Sequence, residues 1–245
     1  RPPRSTLFPY TTLFRSTDDV SGSSVSGAGD VNGDGFADLL VGAHYADPSG
    51  RSAAGETYLV YGRSNGFPAT VTLTNTWLDG TNGVIFAGAS ANGWCGQSVS
   101  GAGDVNGDGF DDLLVGAPAA GEAYLVYGRS NGYPATVTLT NTWLDGTNGI
   151  VFAGAAENDW CGESVSGAGD ANGDGLADLF IGAIGGYIGG DAYLVYAPRQ
   201  PAIVPSSGSW TGGYPVAIAG SNLGNGGDIT NVMLCGVAVS GIASH

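Results

Sequence analysis

One stretch of this chain is written three times. SVSGAGDVNGDGFADLLVGA at residues 24–43 returns as SVSGAGDVNGDGFDDLLVGA at 98–117 and as SVSGAGDANGDGLADLFIGA at 164–183. A period of this length demands supersecondary units that bury their faces against one another, because no single unit can do so alone. The first Asp of each acidic segment is Asp30, Asp104 or Asp170, so the periods are 74 and 66 residues. The eight-residue difference lies between Ala43 and Tyr58, where the first copy carries HYADPSGRSAAGE. From Tyr58 to Asp104 and from Tyr124 to Asp170 the spacing is 46 both times.

Each copy reads as short strands. SVSGAG alternates and leads into an acidic turn, and DLLVGA is a brief apolar run. ETYLVYG, EAYLVYG and DAYLVY alternate around tyrosines, and GVIFAGA and GIVFAGA supply a fourth strand. The polar connection RSNG(F/Y)PATVTLTNTWLDGTN between the third and fourth has room for an extra short strand pair. Four strands in about 66 residues predict one propeller blade per copy. No segment reads as a long amphipathic helix.

Composition narrows the function. The 245 residues include 45 glycines, about 18% against a usual ~7%. Lysine is absent, arginine occurs seven times, and 22 acids bring the net charge to −15. A polyanion of this kind is a poor partner for nucleic acid, and without lysine no phosphate-binding P-loop exists. No apolar run is long enough for a membrane-spanning helix, so this segment predicts no membrane insertion. A hydrophobic fraction of 42% excludes a disordered acidic tail.

Residues 1–16, RPPRSTLFPYTTLFRS, hold three of the arginines and no acid. Codon by codon they look like a translated sequencing-library adapter, and fold reasoning sets them aside. Without them the charge is −18.

The chemistry lies in the turn after the first strand, Asp-x-Asn-x-Asp-Gly-x-x-Asp. Its side chains are Asp30, Asn32, Asp34 and Asp38; Asp104, Asn106, Asp108 and Asp112; and Asp170, Asn172, Asp174 and Asp178. Oxygen ligands at positions 1, 3 and 5 of a tight loop point at one centre. A glycine at position 6 (Gly35, Gly109, Gly175) closes the turn, and the backbone carbonyl of Phe36, Phe110 or Leu176 is offered at position 7. This all-oxygen set predicts three Ca²⁺ sites; Mg²⁺ favours keeping several waters. An EF-hand is excluded because position 12 is Val41, Val115 or Ile181. Three ions would take −18 to −12, a structural role that relieves the acidic hairpins.

At these residues the chain resembles the FG-GAP repeat family, the blades of the integrin α-subunit propeller and its bacterial relatives. The "FG" position is Ser21-Gly22, Cys95-Gly96 and Cys161-Gly162. "GAP" is complete only at Gly116-Ala117-Pro118, the others being Gly42-Ala43-His44 and Gly182-Ala183-Ile184. The resemblance implies an all-β fold: a partial β-propeller of three four-stranded antiparallel blades at about 17–91, 92–157 and 158–197. The third lacks its outer strand, and such propellers have seven blades, so about four blades are expected upstream. It also implies calcium loops on the lower face and partners on the upper one. Residues 198–245, with PSSG, VAIAGSNLG and VMLCGVAV, resemble the start of an IPT/TIG domain, a truncated immunoglobulin-like β-sandwich.

The expected function is a calcium-binding, non-enzymatic module of a secreted or cell-surface protein, acting in adhesion or in binding a protein or glycan. The alternative is an accessory propeller of an extracellular phospholipase- or polysaccharide-active enzyme, motivated by Glu157, Asp159 and Glu163 near Trp160. His44, Tyr45 and Arg51 in the first copy's insertion, with Trp94 and Trp160, are the candidate ligand-binding residues of the upper face. Cys95 and Cys161 read as small buried hydrophobes, while Trp77 and Trp143 read as structural. Ser24, Ser98 and Ser164 lack the context of a nucleophile elbow.

Overall fold

The computed structural model describes residues 12–15, 19–155, 158–185 and 189–197, with four short strands further on. Contacts divide the chain into two units, Arg1–Ala197 and Pro198–His245. In the first unit Leu13–Arg15 forms β1. Copy one supplies β2 (Ser24–Gly29), β3 (Asp38–Ala43), β4 (Glu56–Val60), β5 (Thr70–Thr72) and β6 (Gly83–Gly88). Copy two supplies β7 (Ser98–Gly103), β8 (Asp112–Ala117), β9 (Glu122–Val126), β10 (Thr136–Leu139) and β11 (Gly149–Ala153). Copy three supplies β12 (Cys161–Gly169), β13 (Asp178–Ala183) and β14 (Asp191–Val195).

Within each copy the strands pair in order as an antiparallel meander: β2-β3-β4-β6, β7-β8-β9-β11 and β12-β13-β14. The unit is a partial β-propeller, with four-stranded first and second blades and a three-stranded third. Among the described residues its regular structure is all β apart from two 3-10 turns, Pro48–Gly50 and Pro118–Ala120.

The polar connection does not form the expected strand pair of its own. Instead β10 of copy two pairs in parallel with β6, the outer strand of the preceding blade. Radial sheets diverge outwards and leave a wedge at the rim. Tyr133, Val137, Leu139 and Leu144 of the connection fill it, joining one core with Leu59, Phe86, Leu113 and Tyr124. In copy one the matching β5 pairs in parallel with β1, and Phe14 packs edge-on to Phe67 with ring centroids 5.4 Å apart. Residues that sequence reasoning sets aside thus complete the edge of β5, because that strand has no outer strand of a preceding copy in this chain.

At the inner rim the sheets approach through glycine. A Cβ on Gly101 would lie 2.7 Å from the Gly27 carbonyl oxygen, and one on Gly167 the same distance from that of Gly101. Ser24 Oγ donates to the Gly96 carbonyl at 3.0 Å and Ser98 Oγ to that of Gly162 at 3.1 Å. The serines of SVSGAG therefore stitch each blade to the next.

The "GAP" glycine is set by the same closeness. A Cβ on Gly116 would meet the Gly162 carbonyl oxygen of the third blade at 1.9 Å, whereas one on Gly182 meets only the rotatable Ser164 Oγ at 2.4 Å. Gly116→Ala is expected to cost about 1–3 kcal/mol or more, as overpacking against backbone does. Gly182→Ala should cost about 0.5 kcal/mol or less. Urea denaturation of the two variants checks the ratio.

In the second unit β15 (Ala202–Val204) pairs antiparallel with β16 (Ala217–Ala219), and β17 (Met233–Leu234) with β18 (Val237–Ala238). The remaining features of the IPT/TIG resemblance lie outside the described residues, as does Cys235.

Candidate metal loops and aromatic face

The strand 1–2 turns carry the acidic loops at one end of the blades, and the strand 2–3 turns lie at the other. In each loop the first Asp organises the backbone. Asp30 accepts from Asp34 N–H at 3.0 Å and Gly35 N–H at 2.8 Å; Asp104 and Asp170 take the N–H groups of Asp108 and Gly109, and of Asp174 and Gly175. The amide oxygens of Asn32, Asn106 and Asn172 accept the N–H at position 5, and Asp34, Asp108 and Asp174 accept the one at position 7. Gly35, Gly109 and Gly175 sit at φ of 88°, 90° and 92°, which glycine alone adopts without strain.

The ninth position differs from the rest. Asp38, Asp112 and Asp178 are all 0% exposed. One oxygen of each accepts the N–H of Val31, Val105 or Ala171 inside its loop. The other accepts the N–H of Gly62, Gly128 or Ala197, just past the third strand. This carboxylate clamps the loop onto the blade. Burial pushes the Asp38 carboxyl up to about 6 and that of Asp112 up to about 7; backbone N–H groups oppose the shift, and the two nearest loop carboxylates add to it.

These residues fit a hard cation. The donors are carboxylate, amide and backbone oxygens, the set that suits calcium. Each carboxylate offers about four lone-pair directions; with the Asn32 Nδ2 group donating to Asp34 at 3.0 Å, the bonds occupy two on each of Asp30, Asp34 and Asp38. The charges acting on Asp38 are the like-signed Asp34 and Asp30, which a cation would offset. Among the described residues no group of three His, Cys, Asp or Glu side chains is placed to hold a metal ion.

Neighbouring loops are tied together. Asp111 N–H donates to the Asp30 carbonyl at 3.2 Å, and Ala177 N–H to that of Asp104 at 3.0 Å. Asp111 adds a side-chain bond, accepting Asp30 N–H at 2.8 Å. Sequence reasoning passed over Asp111; its one signal is that copies one and three carry Ala37 and Ala177 there.

At the opposite end the structure gathers four of the five candidate ligand residues. His44 and Tyr45 lie tilted against each other with centroids 4.2 Å apart, both reach Trp94 (6.4 and 6.1 Å), and Trp94 meets Trp160 edge-to-face at 5.4 Å. The row crosses all three blades. Trp94 and Trp160 both hold φ of 59°, and Asn92 and Asn158 hold 56° and 62°. For tryptophan this left-handed backbone is an outlier that costs about 1–3 kcal/mol.

Arg51 serves a different contact: its Nε donates to the Gly88 carbonyl at 3.1 Å. It anchors the insertion of copy one. Asn92, Trp94 and Cys95 N–H donate to the carbonyls of Ser52, Ala53 and Ala54, sealing that insertion against the start of blade two.

Other candidates settle into structural places. Cys95 and Cys161 are buried free thiols, pushed by burial up to about 12 and about 11. Burial lowers the His44 pKa, and its Nδ1 lies 3.0 Å from Ser23 Oγ. Asp159 accepts Cys161 N–H at 3.1 Å, while Glu157 lies outside the described residues. Trp77 and Trp143 each face an arginine: Arg63 lies between Phe67 and Trp77, and Arg129 between Tyr133 and Trp143. No helix among the described residues is long and apolar enough to cross a membrane.

The FG-GAP repeat model matches residues 21–60 and 96–134, the first and second copies. The chain is 32% identical over 186 residues to integrin alpha-5 of Xenopus laevis, covering 73% of this chain and 16% of that protein. It is 33% identical over 163 residues to integrin alpha-2 of Mus musculus, covering 64% and 12%. To the phosphatidylinositol-glycan-specific phospholipase D of Bos taurus it is 38% identical over 120 residues, covering 49% and 13%. The chain thus carries FG-GAP repeats in an integrin-alpha-like propeller, and it spans about 12–16% of the length of these relatives.

Proposed function

We propose that this chain is a calcium-stabilised propeller module of a secreted or cell-surface protein, and that it binds a protein or glycan on the face opposite its acidic loops. The observation that carries the reading is the thrice-repeated loop whose buried Asp38, Asp112 or Asp178 joins the first turn of the blade to its third strand. Calcium held by the side chains at positions 1, 3, 5 and 9 and the carbonyl at position 7 would neutralise carboxylates that otherwise repel, fixing the hairpin. The ion supplies charge and rigidity rather than bond-breaking chemistry. Similarity to integrin alpha chains supports a binding role at the surface of a cell. On the same reading residues 198–245 begin an immunoglobulin-like sandwich.

Calorimetric titration of the metal-stripped chain tests this. Three calcium ions per chain are expected for the wild type and two for Asp108→Ala, which deletes one carboxylate from the middle loop. Absence of heat and of any stability change on adding calcium would sink the reading.

A second reading makes the module the accessory propeller of an extracellular enzyme, supported by the similarity to a phospholipase D. Extending the gene sequence at both ends separates the two, since a catalytic domain would appear there.

A further inference from the structure

The first and second blades solve the same problem in different ways. In blade one the eight-residue insertion lies over the start of the next blade, and its Ser52, Ala53 and Ala54 carbonyls take up the N–H groups of Asn92, Trp94 and Cys95. In blade two the corresponding turn is only Pro118–Ala120. The contact nearest the sheet survives, Gly154 N–H to the Gly121 carbonyl at 2.9 Å matching Gly88 N–H to that of Gly55 at 2.8 Å. Beyond it the insertion has no counterpart, and a cleft of about 660 Å³ opens between the turn and Asn158–Trp160. That volume falls within the usual ~300–1,000 Å³ of small-ligand sites.

We infer that this cleft binds an uncharged, hydroxyl-rich saccharide chain, which the aromatic row guides across the blades. The inference rests on the reading of the propeller as a binding module and names its ligand class. Trp94 and Trp160 offer broad apolar surfaces of the kind that cover the C–H face of a pyranose. Both are held at a backbone angle that tryptophan disfavours, so their placement needs a reason beyond local preference. Asn92 and Asn158 offer both donors and acceptors, and Glu122 adds acceptor oxygens, one of which already takes the Tyr124 hydroxyl at 2.6 Å. Hydroxyl groups donate and accept, so this mixed lining suits them, whereas a cationic peptide would use acceptors alone. Among the described residues no basic side chain lines the cleft, and Glu122 repels anions, which argues against acidic sugars. The small residues Ala119, Ala120, Gly121 and Ala153 form a wall that a sugar ring can approach closely.

Affinity electrophoresis of the full chain in excess calcium tests this. The gels contain galactomannan, hydroxyethyl cellulose or arabinoxylan, with polygalacturonate as the acidic control. A lysine-rich peptide is titrated separately by tryptophan fluorescence. At least one neutral polysaccharide should retard the chain, and Trp160→Asn should weaken that binding tenfold or more. Asparagine tolerates the left-handed backbone, so the thermal midpoint of Trp160→Asn should hold or rise, which a structural tryptophan would not allow. Ala119→Arg, at an exposed position on the turn, should block the cleft with the same loss and does not depend on how Trp160 packs.

Retardation by none of the neutral polysaccharides overturns the proposal. So does binding of only the acidic polymer or the basic peptide, or sugar binding that survives both substitutions. A calcium isotherm on the same preparation separates the two readings. Calcium uptake without sugar binding overturns this inference alone, and no calcium uptake overturns the module reading.

Discussion

Stripping calcium from the chain is expected to lower its thermal midpoint by more than about 15 °C. A ligand at 100 times its dissociation constant stabilises the folded state by about 2.7 kcal/mol per site, so three sites contribute about 8. A domain of this size shifts by about 2–4 °C per kcal/mol. The sign of the pH dependence should reverse with the metal. In the stripped chain Asp38 and Asp112 have folded pKa values raised to about 6 and about 7, so the native state binds these protons more tightly than the unfolded chain does. Their contribution is then fully present below the ordinary Asp value and is lost as pH rises through 6 to 7. The EDTA-treated protein should melt higher at pH 5 than at pH 8. With calcium the order inverts, because the ligands must be deprotonated to hold the ion. Differential scanning calorimetry at the two pH values, with and without EDTA, measures both effects. Equal midpoints with and without calcium would count against any metal role.

Leu125→Ala and Leu194→Ala are expected to differ by several kcal/mol although they make the same change at the same repeat position. Leu125 is 1% exposed in the core between blades two and three, where it packs with Leu179 and Ile181. Leu194 faces outwards from blade three and is 40% exposed, beside Phe180 and Tyr196 at 46% and 54%. Truncating the first leaves a cavity and should cost about 2–5 kcal/mol. The second loses little buried surface and should stay within about 1 kcal/mol. Chemical denaturation of both variants gives the difference directly. Val99→Ala and Val25→Ala form a second pair on the opposite faces, at 7% and 68% exposure. Near-equal costs within the pairs would show that the buried faces between blades are not the main source of stability.

The acidic loops were legible because their chemistry is local. Ligand spacing, the glycine at position 6 and the turn between two strands all fall within nine residues, and short-range backbone geometry then dictates which oxygens meet which N–H groups. The blade strands were legible for a similar reason, since alternation and the tyrosine pattern repeat with the period. The serines of SVSGAG were harder. Their role is to bond a carbonyl some 64–72 residues away, and nothing in the strand itself announces that partner. The connection has room for a strand pair of its own but forms none, because the pairing strand of β10 belongs to the neighbouring copy, 51 residues back where Thr136 meets Ile85.

The sequence by itself determined that this chain repeats, that each copy is a small antiparallel sheet, and that three oxygen-rich loops recur in register. Periodicity and turn chemistry act over a few residues and need no knowledge of the whole. Only the tertiary structure decided which faces are buried, since Leu125 and Leu194 are the same residue in the same motif and differ solely in having a neighbouring blade. It also decided that His44, Tyr45, Trp94 and Trp160 form one row while Arg51 anchors a loop, and that an insertion seals blade one where a three-residue turn leaves blade two open. These are consequences of how sheets pack around a common axis, a property of the assembled copies that no single copy contains.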